Sequence, residues 1–277
     1  MMIDENNRTI VNLIGVPTIL GSIYLGGSVF FMFVWIVTIL GSLEYNRIVQ
    51  TKDDLFPKVI TIFFISILLF GYKLNYSMTL VQFVIISIVI IQLFSVKEKP
   101  LYSISTMIFG VLWLGMSLGS LILIRDIESL GFELITIMFV SVWACDSFAF
   151  IFGKYFGEMK IWPSISPKKT WLGTFMGLVS SILSIYIFYI YGDKFGFNFE
   201  KINTVLNMTD VIGFGIIFGG IGQLGDFFES LLKREVGIKD SGKILKGHGG
   251  ILDRFDSILF VAPSLYIYIE FILKGRL

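Results

Sequence analysis

Ionisable side chains occur in this sequence where a helix would line them up. In "GDFFESLLKR", Asp226, Glu229, Ser230 and Lys233 are spaced i, i+3, i+4 and i+7, which is one stripe of an α-helix. The stripe closes an apolar run, so part of it reaches bilayer depth. There each ionisable group costs roughly 2.5–3.5 kcal/mol and is expected to face a polar cavity or a partner. Lys233 and Arg234 also suit interfacial anchoring; Asp226, deeper in the run, is not explained that way. Further on, "GHGGILDRFD" sets Gly247, Gly249 and Gly250 beside Asp253 and Asp256. Glycines let backbone N–H groups approach a phosphate closely, and a helix beginning near Asp253 adds positive potential. Two acids three residues apart share a helix face and offer oxygens to a divalent cation such as magnesium. Lys239, Lys243, Lys246 and Arg254 can neutralise phosphate charge. This mixture suits a metal ion gripping a polyphosphate.

Two other stretches bear on the same chemistry. "SPKKTWLG" places Ser166, Lys168, Lys169 and Thr170 directly before an apolar run. The two lysines suit membrane anchoring and equally suit an anionic headgroup or a triphosphate. Asp146 is an acid inside a long apolar run, which by default makes it a functional-site candidate. His248, the one histidine, is assigned to binding or orientation rather than to base catalysis. A phosphate nucleophile is already anionic at neutral pH and needs little proton removal.

The elements that must position these residues are membrane helices. The chain is 55% hydrophobic and 16% charged, against roughly 25% charged in average soluble domains. A hydrocarbon core about 30 Å thick takes about 20 apolar residues per helix. Nine spans are expected: residues 10–25, 27–43, 59–71, 78–95, 102–124, 134–152, 171–191, 211–232 and 258–273. The fold class is thus an all-α polytopic integral membrane protein, with catalytic loops on the cytoplasmic side. One transmembrane domain over residues 1–277 is expected, with an N-terminal helical part (1–130) and a catalytic part (131–277). The acidic start, "MMIDENNRT", does not read as a cleaved signal peptide. A single cysteine, Cys145, excludes an internal disulfide and a cysteine-based metal cluster. With nine spans, sixteen of the twenty-two Lys and Arg residues fall on one side, together with both polar loops. That bias puts them in the cytoplasm.

From Ser230 to Asp256 the sequence resembles the signature of the phosphatidate cytidylyltransferases, also called CDP-diacylglycerol synthases. The pattern S-x-x-K-R, four residues, K-D, then H-G-G-x-x-D-R-x-D is met by Ser230, Lys233, Arg234, Lys239, Asp240, His248, Gly249, Gly250, Asp253, Arg254 and Asp256, with Gly242 also in place. "DSFAFIFGKYFG" and "SPKKTW" are similar to a second family region. Two departures stand out: Lys246 replaces a usual proline, and Leu172 a usual acid. The resemblance implies CMP transfer from CTP to phosphatidate, with pyrophosphate released. It implies magnesium, as one ion or two, on Asp226 and Asp253, with Asp256 and Glu229 in support. Lys233, Arg234, Lys239 and Arg254 would neutralise phosphates; Ser166, Lys168, Lys169, Thr170, Ser230, Asp240, Gly249 and Gly250 would line the substrate site. It further implies the cell membrane as location and a homodimer as assembly. No nucleic-acid partner is expected. The rival readings are a CTP-dependent lipid kinase of the polyprenol type, which would release CDP, and a transporter using Asp146, Asp226 and Glu229. The crowding of polar loops on one side disfavours the transporter.

Overall fold

Long apolar runs broken by short polar stretches give a wholly helical chain. A computed structural model describes residues 2–49, 55–74, 77–95, 99–195, 200–242 and 249–277. The helices are α1 (Met2–Leu25), α2 (Gly27–Val49), α3 (Leu55–Lys73), α4 (Ser77–Leu93), α5 (Pro100–Arg125), α6 (Gly131–Tyr155), α7 (Trp171–Tyr191), α8 (Glu200–Val205), α9 (Met208–Gly215), α10 (Gly222–Glu235), α11 (Leu252–Phe255) and α12 (Ile258–Tyr268). A π-helical segment, Ile216–Ile221, joins α9 to α10, and another, Ile269–Leu273, extends α12. Among the described residues the only strand-like pairing outside the helices is an isolated bridge between Lys160 and Thr170.

Six helices are long and apolar enough to cross a membrane: Gly27–Val49, Leu55–Lys73, Pro100–Arg125, Gly131–Tyr155, Trp171–Tyr191 and the continuous run Met208–Glu235. Three shorter apolar helices, Leu13–Leu25, Thr79–Leu93 and Ile258–Leu273, lie at the remaining expected positions. Among the described residues, six helices thus have the length and apolarity of a full crossing, and three apolar helices are shorter. Several helices outrun the expected bounds. α2 continues past Leu43 to Val49 with Glu44, Tyr45 and Asn46 all buried. Hydropathy stops at the first charge, whereas the helix stops where its backbone partners end.

The chain divides into two compact units. One comprises Met1–Leu123 and Ile238–Arg254, the other Ile124–Gly237 and Phe255–Leu277. The signature stretch is divided between them, with Ile238–Arg254 grouped with the N-terminal helices.

In the first unit, α5 offers small residues to large neighbours. A Cβ on Gly110 would strike the Tyr45 ring, one on Gly115 would press on Leu68, and one on Gly119 would strike Tyr72. Tyr45 then donates its hydroxyl to the Thr106 carbonyl at 2.9 Å. Small residues let membrane helices approach closely where apolar burial alone gives no drive for association.

The second unit uses the same device between α6 and α7. A Cβ on Gly173 would lie 2.6 Å from the Ala149 carbonyl oxygen, and one on Gly177 would lie 3.0 Å from Cys145 Sγ. Carbonyls at and within the π segment are served by side chains: Ser181 donates to O of Gly215, just before it, at 3.3 Å, and Gln223 donates to Gly219 O at 2.6 Å. At the far end of the α9–α10 run from its charged stripe, Arg276 grips Asp210 with both Nη atoms, at 2.7 and 2.9 Å, and Tyr268 donates to the same carboxylate at 2.7 Å. Asp210 is also the acid of the capping box that starts α9. Gly173→Ala should destabilise the protein by about 1–3 kcal/mol, because backbone must move to admit one methyl group. A fall in the melting temperature in detergent checks this.

Candidate active site

The charged stripe of α10 forms as its spacing requires, but its acids are already met by protein cations. Lys169 Nζ lies 2.6 Å from Asp226 Oδ2 and 3.9 Å from the centroid of the Phe227 ring. Lys233 Nζ lies 2.7 Å from Glu229 Oε2, one turn away on the same helix, with both side chains buried. Lys233 is thus paired within α10, beside the acid one turn before it. A buried acid keeps its charge only beside a countercharge or donors, and the i, i+4 spacing supplies one at once.

The loop between α6 and α7 delivers Lys169. Ile161 donates its amide to Lys169 O at 3.2 Å, and Trp171 donates to Met159 O at 3.0 Å, so the loop closes on itself. Trp162 meets Phe227 edge to face at 5.9 Å between centroids, and Arg234 Nε donates to Ile165 O at 3.3 Å. Thr170 is buried and caps α7: its hydroxyl accepts the Gly173 amide at 3.1 Å. The residue expected at the substrate site thus also serves as the N-cap of α7. Ser166 donates its amide to Trp162 O at 2.9 Å and accepts Lys169 N at 3.3 Å, holding the turn, while Lys168 is exposed.

Asp256 lies just before α12 and feels the charges of the α10 stripe. Its Oδ1 accepts the Ser257 amide at 2.6 Å. Burial, reinforced by the charges of Asp226, Glu229 and Asp146, pushes its carboxyl well above the ordinary carboxylate range. Gly225 allows the approach, since a Cβ there would lie 2.5 Å from the Asp256 carbonyl oxygen. Ser230 shares the α10 stripe and is half-buried.

Asp253 belongs to the other unit. Its Oδ2 accepts the Gly250 amide at 2.7 Å, and the Ser241 amide and hydroxyl at 3.0 Å each. Gly249 has φ +76°, a conformation open to glycine, and a Cβ there would collide with the Asp253 carboxylate. Lys239, Asp240 and Arg254 are exposed. His248, Lys243, Lys246 and Gly247 lie outside the described residues. One acid the sequence reading missed is Glu44. It is fully buried on α2 and accepts hydrogen bonds from Ser241, Ile251 and Leu252.

Among the described residues, no three Asp, Glu, His or Cys side chains are gathered as a ready-made metal cluster. The reason is visible at each acid. Asp226 meets Lys169, Glu229 meets Lys233, and Asp253 meets amides and a hydroxyl. Taken unit by unit, these carboxylates are hard oxygen donors of the kind magnesium uses one or two of, with water and phosphate oxygens completing its shell.

The chain matches the model of the cytidylyltransferase family over residues 6–272. It belongs to that family. Among curated relatives, the phosphatidate cytidylyltransferase of Staphylococcus saprophyticus is 32% identical over 264 residues, covering 94% of this chain and 97% of its own length. Those of Staphylococcus epidermidis and Staphylococcus aureus are 30% and 31% identical over 263 residues, with the same coverage. The cytidylyltransferase is therefore a nucleotidyl-transferring enzyme on a multi-helix membrane scaffold.

Gly225→Ala should push the start of α12 away and shift Asp256, a proposed site acid, relative to α10. A displacement near 1 Å costs turnover about 100-fold. Steady-state assay of the purified variant, beside its melting temperature, checks this.

Proposed function

We propose that this cytidylyltransferase transfers CMP from CTP to phosphatidate, giving CDP-diacylglycerol and pyrophosphate at the cytoplasmic surface of the cell membrane. The observation that carries the substrate assignment is the likeness, along 94% of the chain, to proteins named phosphatidate cytidylyltransferase. The bias of Lys and Arg towards one set of loops supports the cytoplasmic face. A homodimer is the assembly that the family resemblance favours.

A phosphate oxygen of phosphatidate attacks the α-phosphorus of CTP. The bond from that phosphorus to the bridging oxygen breaks, and pyrophosphate leaves with the electron pair. The nucleophile is already anionic, so His248 serves binding or orientation and no strong base is needed. Catalysis then rests on positioning and on neutralising phosphate charge. Asp226 and Asp256, with Glu229 beside them, are the second unit's candidates to hold magnesium, and Asp253 is the first unit's. Magnesium, when bound, offsets negative charge on the phosphate oxygens.

The chain's own cations have distinct parts. Lys168 and Arg234 are exposed on the second unit, and Lys239 and Arg254 on the first, where they can meet phosphate. Lys169 is pinned between Asp226 and the Phe227 ring, so its ammonium sits at the acid that the cation would use. Lys233 pairs with Glu229 and orients its carboxylate. Ser230, Ser166, Asp240, Gly249 and Gly250 complete the proposed substrate-binding set.

Purified protein incubated with CTP, phosphatidate and magnesium should yield a CMP-bearing lipid and pyrophosphate. Release of CDP with a phosphorylated lipid would reassign it as a lipid kinase. Asp226→Asn and Asp253→Asn preserve shape and remove charge. Each should lower turnover by about 100-fold or more while the protein still inserts into the membrane. Near-normal turnover of Asp253→Asn at limiting magnesium would remove it from the proposed metal ligands.

A further inference from the structure

We propose that Glu44 is a positioning residue for this active site. Its buried carboxylate seats the glycine-rich signature loop and, through Ser241, aims the carboxylate of Asp253. The inference rests on the reading above that Asp253 acts on substrate or its cation.

Glu44 sits on α2, far from the signature in sequence, and is 0% exposed. Three neutral donors meet it. Oε1 accepts the Ile251 amide at 3.0 Å, and Oε2 accepts the Leu252 amide at 2.9 Å and the Ser241 hydroxyl at 3.0 Å. Charge-assisted bonds to amides are stronger than neutral ones, and a buried carboxylate needs them. Glu44 thus holds both sides of the loop, at Ser241 and at Ile251–Leu252.

The same carboxylate accounts for two signature glycines. A Cβ on Gly242 or on Gly250 would run into the Glu44 carboxylate itself. Phosphate approach is the role that glycine suggests in a sequence. Here, room for an inward-pointing acid is the need that the structure displays.

Ser241 links Glu44 to Asp253. Its hydroxyl lies 3.0 Å from Glu44 Oε2 and 3.0 Å from Asp253 Oδ2. A hydroxyl carries one proton and can donate to only one of the two acids at a time. The two carboxylates therefore compete for a single donor, and a cation drawn to Asp253 frees that proton for Glu44. The Ser241 and Gly250 amides fix the same Asp253 oxygen, and both belong to the stretch that Glu44 seats. Packing alone would be served as well by an apolar side chain, without the desolvation of a charge. The charge is useful because it orders donors around a second acid.

The test uses the full-length purified protein. Glu44→Gln keeps the shape but turns an NH2 group towards amide donors. It should raise the magnesium concentration for half-maximal turnover by about 10- to 100-fold, as loss of an outer-sphere partner does. In metal-free protein, hydrogen exchange at the Ile251 and Leu252 amides should lose protection. Ser241→Ala should raise the magnesium requirement while those two amides stay protected. If Glu44→Gln does not yield folded protein, Ser241→Ala decides: a raised requirement supports the proposal, an unchanged one overturns it. Unchanged magnesium half-saturation in Glu44→Gln, or unchanged exchange at the two amides, overturns it while an inactive Asp253→Asn leaves the active-site reading standing. An active Asp253→Asn instead overturns the reading on which the proposal rests.

Discussion

A carboxylate taken out of water must be met by a cation, by hydrogen-bond donors or by a proton, and that demand organises the polar part of this protein. The second unit answers with lysines, Lys169 at Asp226 and Lys233 at Glu229. The first unit answers with amides and a hydroxyl, at Glu44 and at Asp253. Asp256 is met by the Ser257 amide, and its carboxyl is driven towards holding a proton by burial and by its acidic neighbours. Amides are neutral and immobile, so they orient an acid without cancelling its charge. A lysine cancels the charge but can swing away.

The two answers suit different tasks. An acid held by backbone amides has a fixed direction, which favours repeated presentation of the same oxygen. An acid held by a long flexible ammonium can exchange partners as other charges arrive. Lys169 lies across an aromatic face while it pairs with Asp226, so its departure is opposed by two contacts rather than one. The loop that carries Lys169 is tied to α10 through Trp162 and Arg234, which keeps the ammonium within reach of the stripe.

Much of this was legible before any coordinates. Helical class follows from run lengths and hydropathy, and the i, i+3, i+4, i+7 spacing predicted a stripe that α10 realises. The motif in residues 230–256 indicated the family that the chain belongs to. Other features were hidden for identifiable reasons. Glu44 looked like the polar end of a span, because its partners lie some two hundred residues away and linear patterns do not carry such pairings. Thr170 sat among substrate-binding neighbours, but one hydroxyl at a helix start can serve a cap as readily as a ligand. Lys233 had the right spacing for a phosphate contact and equally for Glu229, and the sequence alone could not show the buried pair with Glu229. Gly225, Gly242 and Gly250 could only be interpreted once the atoms facing them were known.

The π-helical segment Ile216–Ile221 has a geometric consequence for everything downstream. A π turn accommodates one residue more than an α turn, and each residue advances a helix by about 100° around its axis. Removing a single residue from this apolar stretch would let the run close as ordinary α-helix. Asp226, Glu229 and Lys233 would then swing by about a quarter-turn, with their composition and spacing intact. The azimuth of the whole charged stripe is thus encoded in a surplus residue that itself bears no charge.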